Sequence, residues 1–368
     1  MRVLHVYKTY FPEDGTGVPQ VIKTLAEGTH SHGVTSEVLA LYRQPSKVPE
    51  FVGHHRVHAA RQELHFASTS LSISAIRRFA SLVPNFDIIH YHFPWPMADL
   101  LHLFHGRSKP SIVTYHSDIV KQRRLLAFYR PLMQRFLSDV DVIVATSPNY
   151  VDSSPVLQKL RAKTTVIPIG LPDRSPPDPN LVSKWRGRVG EDFFLFIGAF
   201  RYYKGLHDLI AAARLSNLPV VLVGNNDAKV VDTGALPPNV ICLGQVSDPD
   251  KEALLESCVA KILPSHLRSE AFGVSLVEAA RAARPMITCD IETGTTFVNL
   301  HGNTGIVIPP GDPYALAQAM RELTSNREYA RQLGEQARAR YVAMFQADQM
   351  VQSYVEQYHL LRDRCATR

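Results

Sequence analysis

Short apolar segments that alternate with helical patterns restrict this chain to an α/β fold. In the first half, near-continuous apolar runs predict buried strands, and helix-period stretches separate most of them. The predicted strands are Met1–Tyr7, Thr35–Tyr42, Val57–Arg61, Asp87–His92, Ser111–His116, Asp141–Thr146 and Thr164–Ile169. This alternation predicts a parallel, doubly wound sheet, in which ligands bind at the carboxyl ends of the strands.

The same pattern starts again in the second half, after a proline-rich segment. Leu171–Asn180 holds four prolines in ten residues, which resist regular structure and stiffen a connection. A chain of 368 residues is also too long for one ordinary core. We therefore predict two domains, residues 1–175 and 176–346, followed by a last helix at about 347–368. The predicted strands of the second half are Phe193–Ile197, Pro219–Gly224, Asn239–Gly244, Val259–Leu263 and Pro285–Cys289.

Composition and charge narrow the class of protein. The chain is 45% hydrophobic and 20% charged, as globular proteins are, and no apolar run approaches the roughly 20 residues of a membrane span. Four cysteines without C-x-x-C spacing predict a reduced, cytoplasmic protein without a metal site. Residues 1–175 carry 20 Lys and Arg against 13 Asp and Glu, which suggests an anionic partner. No nucleic-acid-binding signature accompanies this charge, so a phosphorylated substrate or a membrane surface is the expected partner.

A basic amphipathic segment, Val120–Leu137, allows two interpretations. Its cations alternate with Leu, Phe and Met residues; they are Lys121, Arg123, Arg124, Arg130 and Arg135. The segment is either a solvated helix face above a packed apolar stripe, or a surface that docks on headgroup phosphates with its apolar side in the membrane.

The segment Pro264–Arg284 is the first candidate for a binding site. It follows the predicted strand Val259–Leu263, and helical periodicity begins near Phe272. Glu270 then lies in a strand-to-helix loop, and Glu278 lies about two turns inside the helix. Gly273 at the helix start allows backbone N–H groups to approach an anion. Two glutamates eight residues apart are also common on solvated surfaces, so spacing alone does not decide between these interpretations.

Two glycine-containing loops are further candidates for anion binding. Gly198–Gly205 follows a predicted strand and carries Arg201 and Lys204, which suit a diphosphate. The loop with Gly15 and Gly17 follows the first strand, where backbone N–H groups meet the edge of the sheet. Solvated cations and a plain turn are the alternative explanations.

The run Glu270-Ala-Phe-Gly-Val-Ser-Leu-Val-Glu278 resembles the E-x7-E motif of retaining glycosyltransferases of family 4. Lys204-Gly205 is similar to the Lys-Gly pair of that family, and Gly302–Asp312 is similar to its late strand and turn. The resemblance covers essentially the whole chain. It implies a GT-B fold, two Rossmann-like domains that face each other across a cleft, with the last helix crossing back to the first domain.

The resemblance also implies roles for individual residues. Lys204 and Arg201 would neutralise the departing diphosphate near Gly198, and Glu278 would bind ribose hydroxyls. Glu270 would hold the sugar, helped by backbone groups of three residues: Ala271, Phe272 and Gly273. Gly17 would border the cleft, in a loop that faces the acceptor and the phosphates of the donor. Thr114-Tyr-His-Ser-Asp118 resembles a stretch of bacterial mannosyl- and rhamnosyltransferases in which the residue matching His116 reaches the donor sugar.

The function implied is transfer of mannose or rhamnose, with retention, from GDP-mannose or GDP-rhamnose to a growing, lipid-linked bacterial polysaccharide. No metal and no nucleic acid would take part, and the protein would contact the inner face of the cytoplasmic membrane through its basic domain. The alternatives are a GT-B sugar-nucleotide 2-epimerase, a UDP-sugar-dependent transferase of the same family, and an inactive binding protein with this fold.

Overall fold

A computed structural model describes residues 1–15, 17–66, 69–119, 123–227 and 229–366 of the chain. The chain forms two compact units, Met1–Pro172 with Ala347–Arg368, and Asp173–Gln346. We call them unit 1 and unit 2. None of the helices in the described ranges combines the length and apolar composition that crossing a membrane requires.

Unit 1 is built on a largely parallel sheet. The strands of this unit are β1 (Arg2–Val6), β2 (Thr35–Tyr42), β3 (Phe51–Val52), β4 (His55–Arg61), β5 (Leu64–Phe66), β6 (Thr69–Leu71), β7 (Ile88–Phe93), β8 (Ser111–Tyr115), β9 (Val142–Ala145) and β10 (Thr164–Val166). The main sheet has the order β10-β9-β8-β7-β1-β2-β4-β3, with only β3 antiparallel to its neighbour. The strands β5 and β6 form a separate antiparallel pair. Because β1 lies between β2 and β7, the strand order reverses at β1.

Helices connect these strands. They are α1 (Val18–Gly28), α2 (Ile73–Leu82), α3 (Pro96–Leu101), α4 (Arg123–Asp139), α5 (Pro148–Ser153) and α6 (Pro155–Lys159). Serine hydroxyls cap several of them; Ser72, for example, accepts a hydrogen bond from the backbone N–H of Ala75 at 3.0 Å. Such caps satisfy N–H groups that have no partner within the helix.

Unit 2 holds a fully parallel sheet. Its strands are β11 (Phe194–Ile197), β12 (Val220–Val223), β13 (Val240–Gly244), β14 (Ala260–Leu263), β15 (Met286–Cys289) and β16 (Gly305–Ile308). They lie in the order β13-β12-β11-β14-β15-β16, the order of a doubly wound Rossmann sheet. The helices are α7 (Pro179–Val189), α8 (Leu206–Ser216), α9 (Asp248–Ser257), α10 (Val274–Arg281), α11 (Thr295–Val298), α12 (Pro313–Ser325) and α13 (Arg327–Met344).

The last helix, α14 (Ala347–Ala366), belongs to unit 1. Its buried side chains include Val351, Tyr354 and Tyr358. A Cβ atom on Gly28 would lie 2.5 Å from Val351, so the absence of a side chain there lets α1 and α14 approach closely. The helix thus adds aromatic side chains to a core from which unit 2, Asp173–Gln346, separates it in the sequence.

The predicted parallel sheets and α/β class are confirmed, while three details of the prediction are wrong. Strand β10 ends at Val166 and not at Ile169, because Pro168 has no N–H to donate to a neighbouring strand. The strands β3, β5 and β6 were not predicted; each has three residues or fewer. Helix α10 begins at Val274, two residues later than predicted, because Gly273 has a left-handed backbone with φ of 83°.

Candidate functional site

Two loops of unit 2 meet where the order of its strands reverses. Strands β11 and β14 are neighbours in the sheet although β12 and β13 separate them in sequence, and parallel sheets bind ligands beside such a reversal. The loop after β11 contacts the loop after β14, since the N–H of His266 donates to the carbonyl of Tyr203 at 3.0 Å. Gly205 makes this approach possible. Its φ is 67°, and a Cβ atom there would lie only 2.0 Å from the carbonyl oxygen of Pro264.

Lys204 and Glu270 form an ion pair at this junction. The Nζ of Lys204 donates to Oε2 of Glu270 at 2.8 Å, and the two side chains are only 14% and 12% exposed. Burial alone would lower the pKa of Lys204, but the adjacent carboxylate raises it above its ordinary value. The structure therefore brings together two of the predicted site residues, as a charged lysine and its counterion.

Arg201 places a second cation near Lys204. Arg201 is exposed, and within the described parts of the chain its guanidinium donates one hydrogen bond, to the carbonyl of Phe200 at 3.5 Å. A Cβ atom on Gly198 would lie 3.2 Å from the Nζ of Lys204, so Gly198 borders the lysine. One cation is thus neutralised by Glu270, and the other remains available to an anion.

The start of α10 lies beside the same loops. Ala271 and Phe272 are buried just before it, and the carbonyl of Ala271 accepts from the N–H of Gly294 at 2.8 Å. The first N–H groups of a helix have no intrahelical partners and carry a partial positive charge. Gly273 therefore opens a helix end that favours an anion, and the segment starting at Gly294 packs against it.

Glu278 lies nearer to the start of α10 than predicted. It is four residues after Val274, little more than one turn, because the helix begins late. Its carboxylate accepts from the Nζ of Lys251 at 2.9 Å. Burial would lower the pKa of Lys251, but the carboxylate of Glu278 raises it above its ordinary value. Lys251 was missed by the sequence analysis, since no motif marks a partner 27 residues away.

A second residue missed by the sequence analysis is the buried Lys261. It lies on β14 with no exposed surface, and its Nζ donates to the carbonyl of Ile262 at 2.9 Å. Burial and the nearby charge of Lys204 lower the pKa of Lys261 to about 7. The one available signal was a lysine inside the apolar run Val259–Leu263.

The remaining predicted site residues, Gly17 and His116, lie in unit 1. Gly17 precedes α1 with a φ of 63° and is next to Thr16, which lies outside the described residues. His116 follows β8, and its Nε2 lies 3.0 Å from Nδ1 of His92 on β7. Both residues are at the carboxyl edge of the sheet of unit 1, near the point where its strand order reverses.

One group of possible metal ligands lies near the loops of unit 2. Ligand atoms of His207, Asp208 and His266 lie within 4.8 Å of one another. His207 and Asp208 belong to the first turn of α8, where the positive end of the helix dipole opposes a cation. We therefore assign no metal to this group.

Sequence comparisons agree with this arrangement. Residues 15–174 match the model of Glycosyltransferase Family 4, and residues 179–340 match that of Glycosyl transferases group 1. The chain is 48% identical to O-antigen chain mannosyltransferase C of Escherichia coli, covering 98% of this chain and 99% of the relative. It is also 48% identical to a D-rhamnosyltransferase of Pseudomonas aeruginosa, covering 94% and 93% of the two chains.

Solved structures show the same fold at low identity. A sucrose-phosphate synthase from Thermosynechococcus elongatus superimposes with a TM-score of 0.81 at 19% identity, over 98% of both chains. The HepE protein of Anabaena, solved with UDP and glucose, gives a TM-score of 0.75 at 17% identity, over 97% of this chain and 99% of that one. The family predicted from the E-x7-E run is confirmed. The chain is therefore a glycosyltransferase of family 4 with the GT-B fold.

Proposed function

We propose that this enzyme transfers a mannose or rhamnose residue, with retention of configuration, from a GDP-sugar to a growing bacterial polysaccharide. The names of the two relatives at 48% identity support the sugar and the acceptor class. The observation that carries the proposal is the Lys204–Glu270 pair, held at the strand reversal of unit 2 beside the start of α10. This arrangement offers positive charge to a diphosphate and a carboxylate to sugar hydroxyls.

The reaction breaks the bond between the anomeric carbon and a phosphate oxygen of the donor. A hydroxyl oxygen of the acceptor forms the new bond to that carbon, and its proton passes to the departing phosphate oxygen. Negative charge grows on the diphosphate as the bond breaks. Lys204, Arg201 and the N–H groups at the start of α10 would stabilise that charge, which is the role a metal ion would otherwise have. We therefore propose transfer without a metal.

Glu278 and Glu270 would bind different parts of the donor. Glu278 lies inside α10 and would accept hydrogen bonds from the ribose hydroxyls, with Lys251 holding its carboxylate in place. Glu270 lies in the loop and would accept from the transferred sugar. Its present partner, Lys204, would turn partly to the phosphates when the donor binds.

Calorimetry with GDP and UDP tests the nucleotide. Guanine presents an N1–H and an exocyclic amine as adjacent donors, and leaving their buried acceptors unpaired would cost about 1–3 kcal/mol. GDP is therefore expected to bind at least about fivefold more tightly than UDP. Tighter binding of UDP would contradict the assignment and favour a UDP-sugar donor, the class of ligand in a HepE structure solved with UDP-glucose.

A transfer assay with GDP-mannose and GDP-rhamnose then tests the reaction. Product that depends on a polysaccharide acceptor, with the anomeric configuration of the donor retained, is the expected result. An altered sugar nucleotide formed from the donor alone would overturn the proposal in favour of an epimerase.

We also propose that unit 1 contacts a membrane that carries the acceptor lipid. On α4, Phe128 is 86% exposed and is flanked by exposed Arg130, with Arg135 exposed further along the helix. The apolar stripe of the helix, which includes Met133, Phe136 and Leu137, is buried in unit 1. The contact would therefore use Phe128 and the basic residues rather than the apolar stripe. Lys121 lies outside the described residues, as do the side chains of Arg123 and Arg124.

A further inference from the structure

A row of buried imidazoles crosses three strands of unit 1. His5 on β1 and His92 on β7 are fully buried, and His116 after β8 is 9% exposed. Nδ1 of His5 lies 3.1 Å from Nε2 of His92, and Nδ1 of His92 lies 3.0 Å from Nε2 of His116. We call His5, His92 and His116 the histidine chain. Burial lowers the pKa of both His5 and His116 to about 3, so these rings are neutral near pH 7.

The histidine chain continues through two hydroxyl groups to a backbone carbonyl. Nε2 of His5 lies 3.4 Å from Oγ of Ser36, which lies 3.0 Å from Oγ1 of Thr29. Thr29 in turn donates to the carbonyl of Ala26 at 3.4 Å. Each group between His116 and this carbonyl can both donate and accept one hydrogen bond, whereas the carbonyl can only accept.

The carbonyl gives the whole series a direction. If Thr29 donates to Ala26, Ser36 can donate to Thr29, and Nε2–H of His5 can donate to Ser36. Nε2–H of His92 then donates to His5, and Nε2–H of His116 donates to His92. This direction makes all five contacts. In the reverse direction the Thr29 hydroxyl donates to Ser36 and cannot donate to the carbonyl of Ala26. Only four of the five contacts are then hydrogen bonds.

The favoured direction leaves Nδ1 of His116 without a proton. This nitrogen has no hydrogen-bond partner among the described residues, and His116 is the one member of the histidine chain with exposed surface. We propose that the histidine chain fixes the tautomer of His116, so that Nδ1 presents a lone pair and accepts a hydrogen bond from a sugar hydroxyl. The identity of that hydroxyl rests on the proposed function, whereas the tautomer does not.

A metal ion is a weaker explanation of the same cluster. Ligand atoms of His5, His90 and His92 lie within 4.8 Å of one another. However, His90 is bonded on both sides, to Tyr358 at 2.7 Å and to Thr114 at 2.7 Å. The ring nitrogens of His5 and His92 are used within the series described above. A metal would have to replace these hydrogen bonds, so the ring positions fit a hydrogen-bond series better.

Long-range ¹H–¹⁵N correlation spectra of the full-length protein, labelled with ¹⁵N-histidine, test the tautomer directly. The His116→Ala variant identifies the His116 signals. In the parent protein, Nε2 of His116 is expected to carry the proton and Nδ1 to show the shift of a bare nitrogen. A proton on Nδ1 would overturn the proposal, whatever sugar the enzyme transfers.

Substitution of Ser36 tests whether the acceptor of the His5 proton determines the tautomer of His116, which we call the coupling. The variant Ser36→Ala leaves Nε2 of His5 without an acceptor, so the His116 tautomer is expected to become mixed or to reverse. The variant Ser36→Thr keeps the hydroxyl and should retain the parent spectrum. Thr114→Val removes a buried hydroxyl on the same sheet face but outside the series, so it should also leave the tautomer unchanged. Should S36A fail to fold, Thr29→Val removes the next link instead. An unchanged tautomer in the folded variant would overturn the coupling.

Kinetics of the same variants test whether Nδ1 of His116 accepts a hydrogen bond from a sugar hydroxyl. S36A is expected to lower kcat by about tenfold, the effect of one weakened hydrogen bond, while GDP affinity stays within about twofold. A shifted tautomer with unchanged kinetics would refute the role in substrate binding. Absence of transfer by the parent protein with every GDP-sugar would refute the proposed function, and the spectra would still decide the tautomer.

Discussion

Lys204 and Glu270 neutralise each other before any donor binds, so donor binding has to redistribute this ion pair. Lys204→Ala removes one charge-assisted phosphate contact, worth about 1.5–3 kcal/mol, and should weaken GDP binding roughly ten- to a hundredfold. Calorimetry with GDP measures this change. Lys184→Ala, which removes an exposed lysine of the same unit, is the matched control. Unchanged GDP affinity in K204A would remove Lys204 from the donor site.

Substitution of Glu270, the ion-pair partner of Lys204, should not weaken GDP binding as substitution of Lys204 does. Glu270→Gln keeps the size of the side chain and removes a negative charge beside the proposed phosphate site. We expect GDP to bind at least as tightly to E270Q as to the parent, because Lys204 loses its competing anion. The transfer rate should fall, since the sugar loses its carboxylate partner. Weaker GDP binding would mean that Glu270 supports the nucleotide and not the sugar.

The buried Lys261 is expected to make the free energy of unfolding depend on pH. Its pKa is about 7 in the folded protein, against 10.5 for the ordinary side chain, so between these values the unfolded state binds more protons. The free energy of unfolding should therefore rise with pH from 7 upward, by at most about 1.4 kcal/mol per pH unit.

Lys261→Met should remove that slope and raise the melting temperature most near pH 7, because the amine no longer has to be buried. Thermal unfolding of both proteins between pH 7 and 8.5 measures the difference. A constant difference across this range would show that Lys261 keeps its proton when folded.

At the scale of single elements, helix α4 presents an exposed surface of Phe128, Arg130 and Arg135. Attraction between such cations and anionic lipid is screened over about 8–10 Å at physiological salt, so membrane binding should be salt-sensitive. Flotation with vesicles that contain anionic lipid, with and without added salt, measures it. Arg130→Glu should reduce binding more than Arg77→Glu, the same charge change on α2. Failure of the parent to bind at low salt would mean that this surface is only solvated.

The sequence predicted that these helices form, but it predicted less well where they begin and which residues pack against them. The apolar periodicity predicted the start of α10 within two residues, and the E-x7-E run marked this segment as a candidate part of the site. The left-handed Gly273, however, shifts Glu278 toward the helix start. The pairing of Lys251 with Glu278 depends on where α9 packs, which no local pattern contains. Helix α4 shows the same limit: the sequence predicts its amphipathic pattern, but only the packed structure shows that the apolar stripe is already buried.

For the molecule as a whole, the alternation of strands and helices predicted two parallel sheets but not the order of their strands. That order brings β1 beside β7, and therefore His5 beside His92, across 87 residues of sequence. It also brings β11 beside β14, and therefore Lys204 beside Glu270. Recognisable motifs predicted candidate site residues from the sequence alone. The contacts of these residues could not be predicted, because the pairing of distant strands follows from the packing of the complete unit.

Hydrogen exchange tests whether GDP binds where the strand order of unit 2 reverses. The loops at 198–205 and 264–273 and the first turn of α10 contain N–H groups that a diphosphate would order. Addition of GDP to the full-length protein should therefore slow exchange most in peptides from these segments. Peptides from β2 in unit 1, whose amides are already bonded within a buried sheet, are the internal reference.

K204A should reduce this protection at a fixed GDP concentration, because fewer molecules are occupied, and K184A should not. Protection confined to unit 1 would place the nucleotide on the other sheet and contradict the proposed donor site in unit 2. Equal protection along the whole chain would indicate general stabilisation and would leave the site without support from this measurement. Strong protection at the two loops, sensitive to Lys204 alone, is the result that the Lys204–Glu270 geometry predicts.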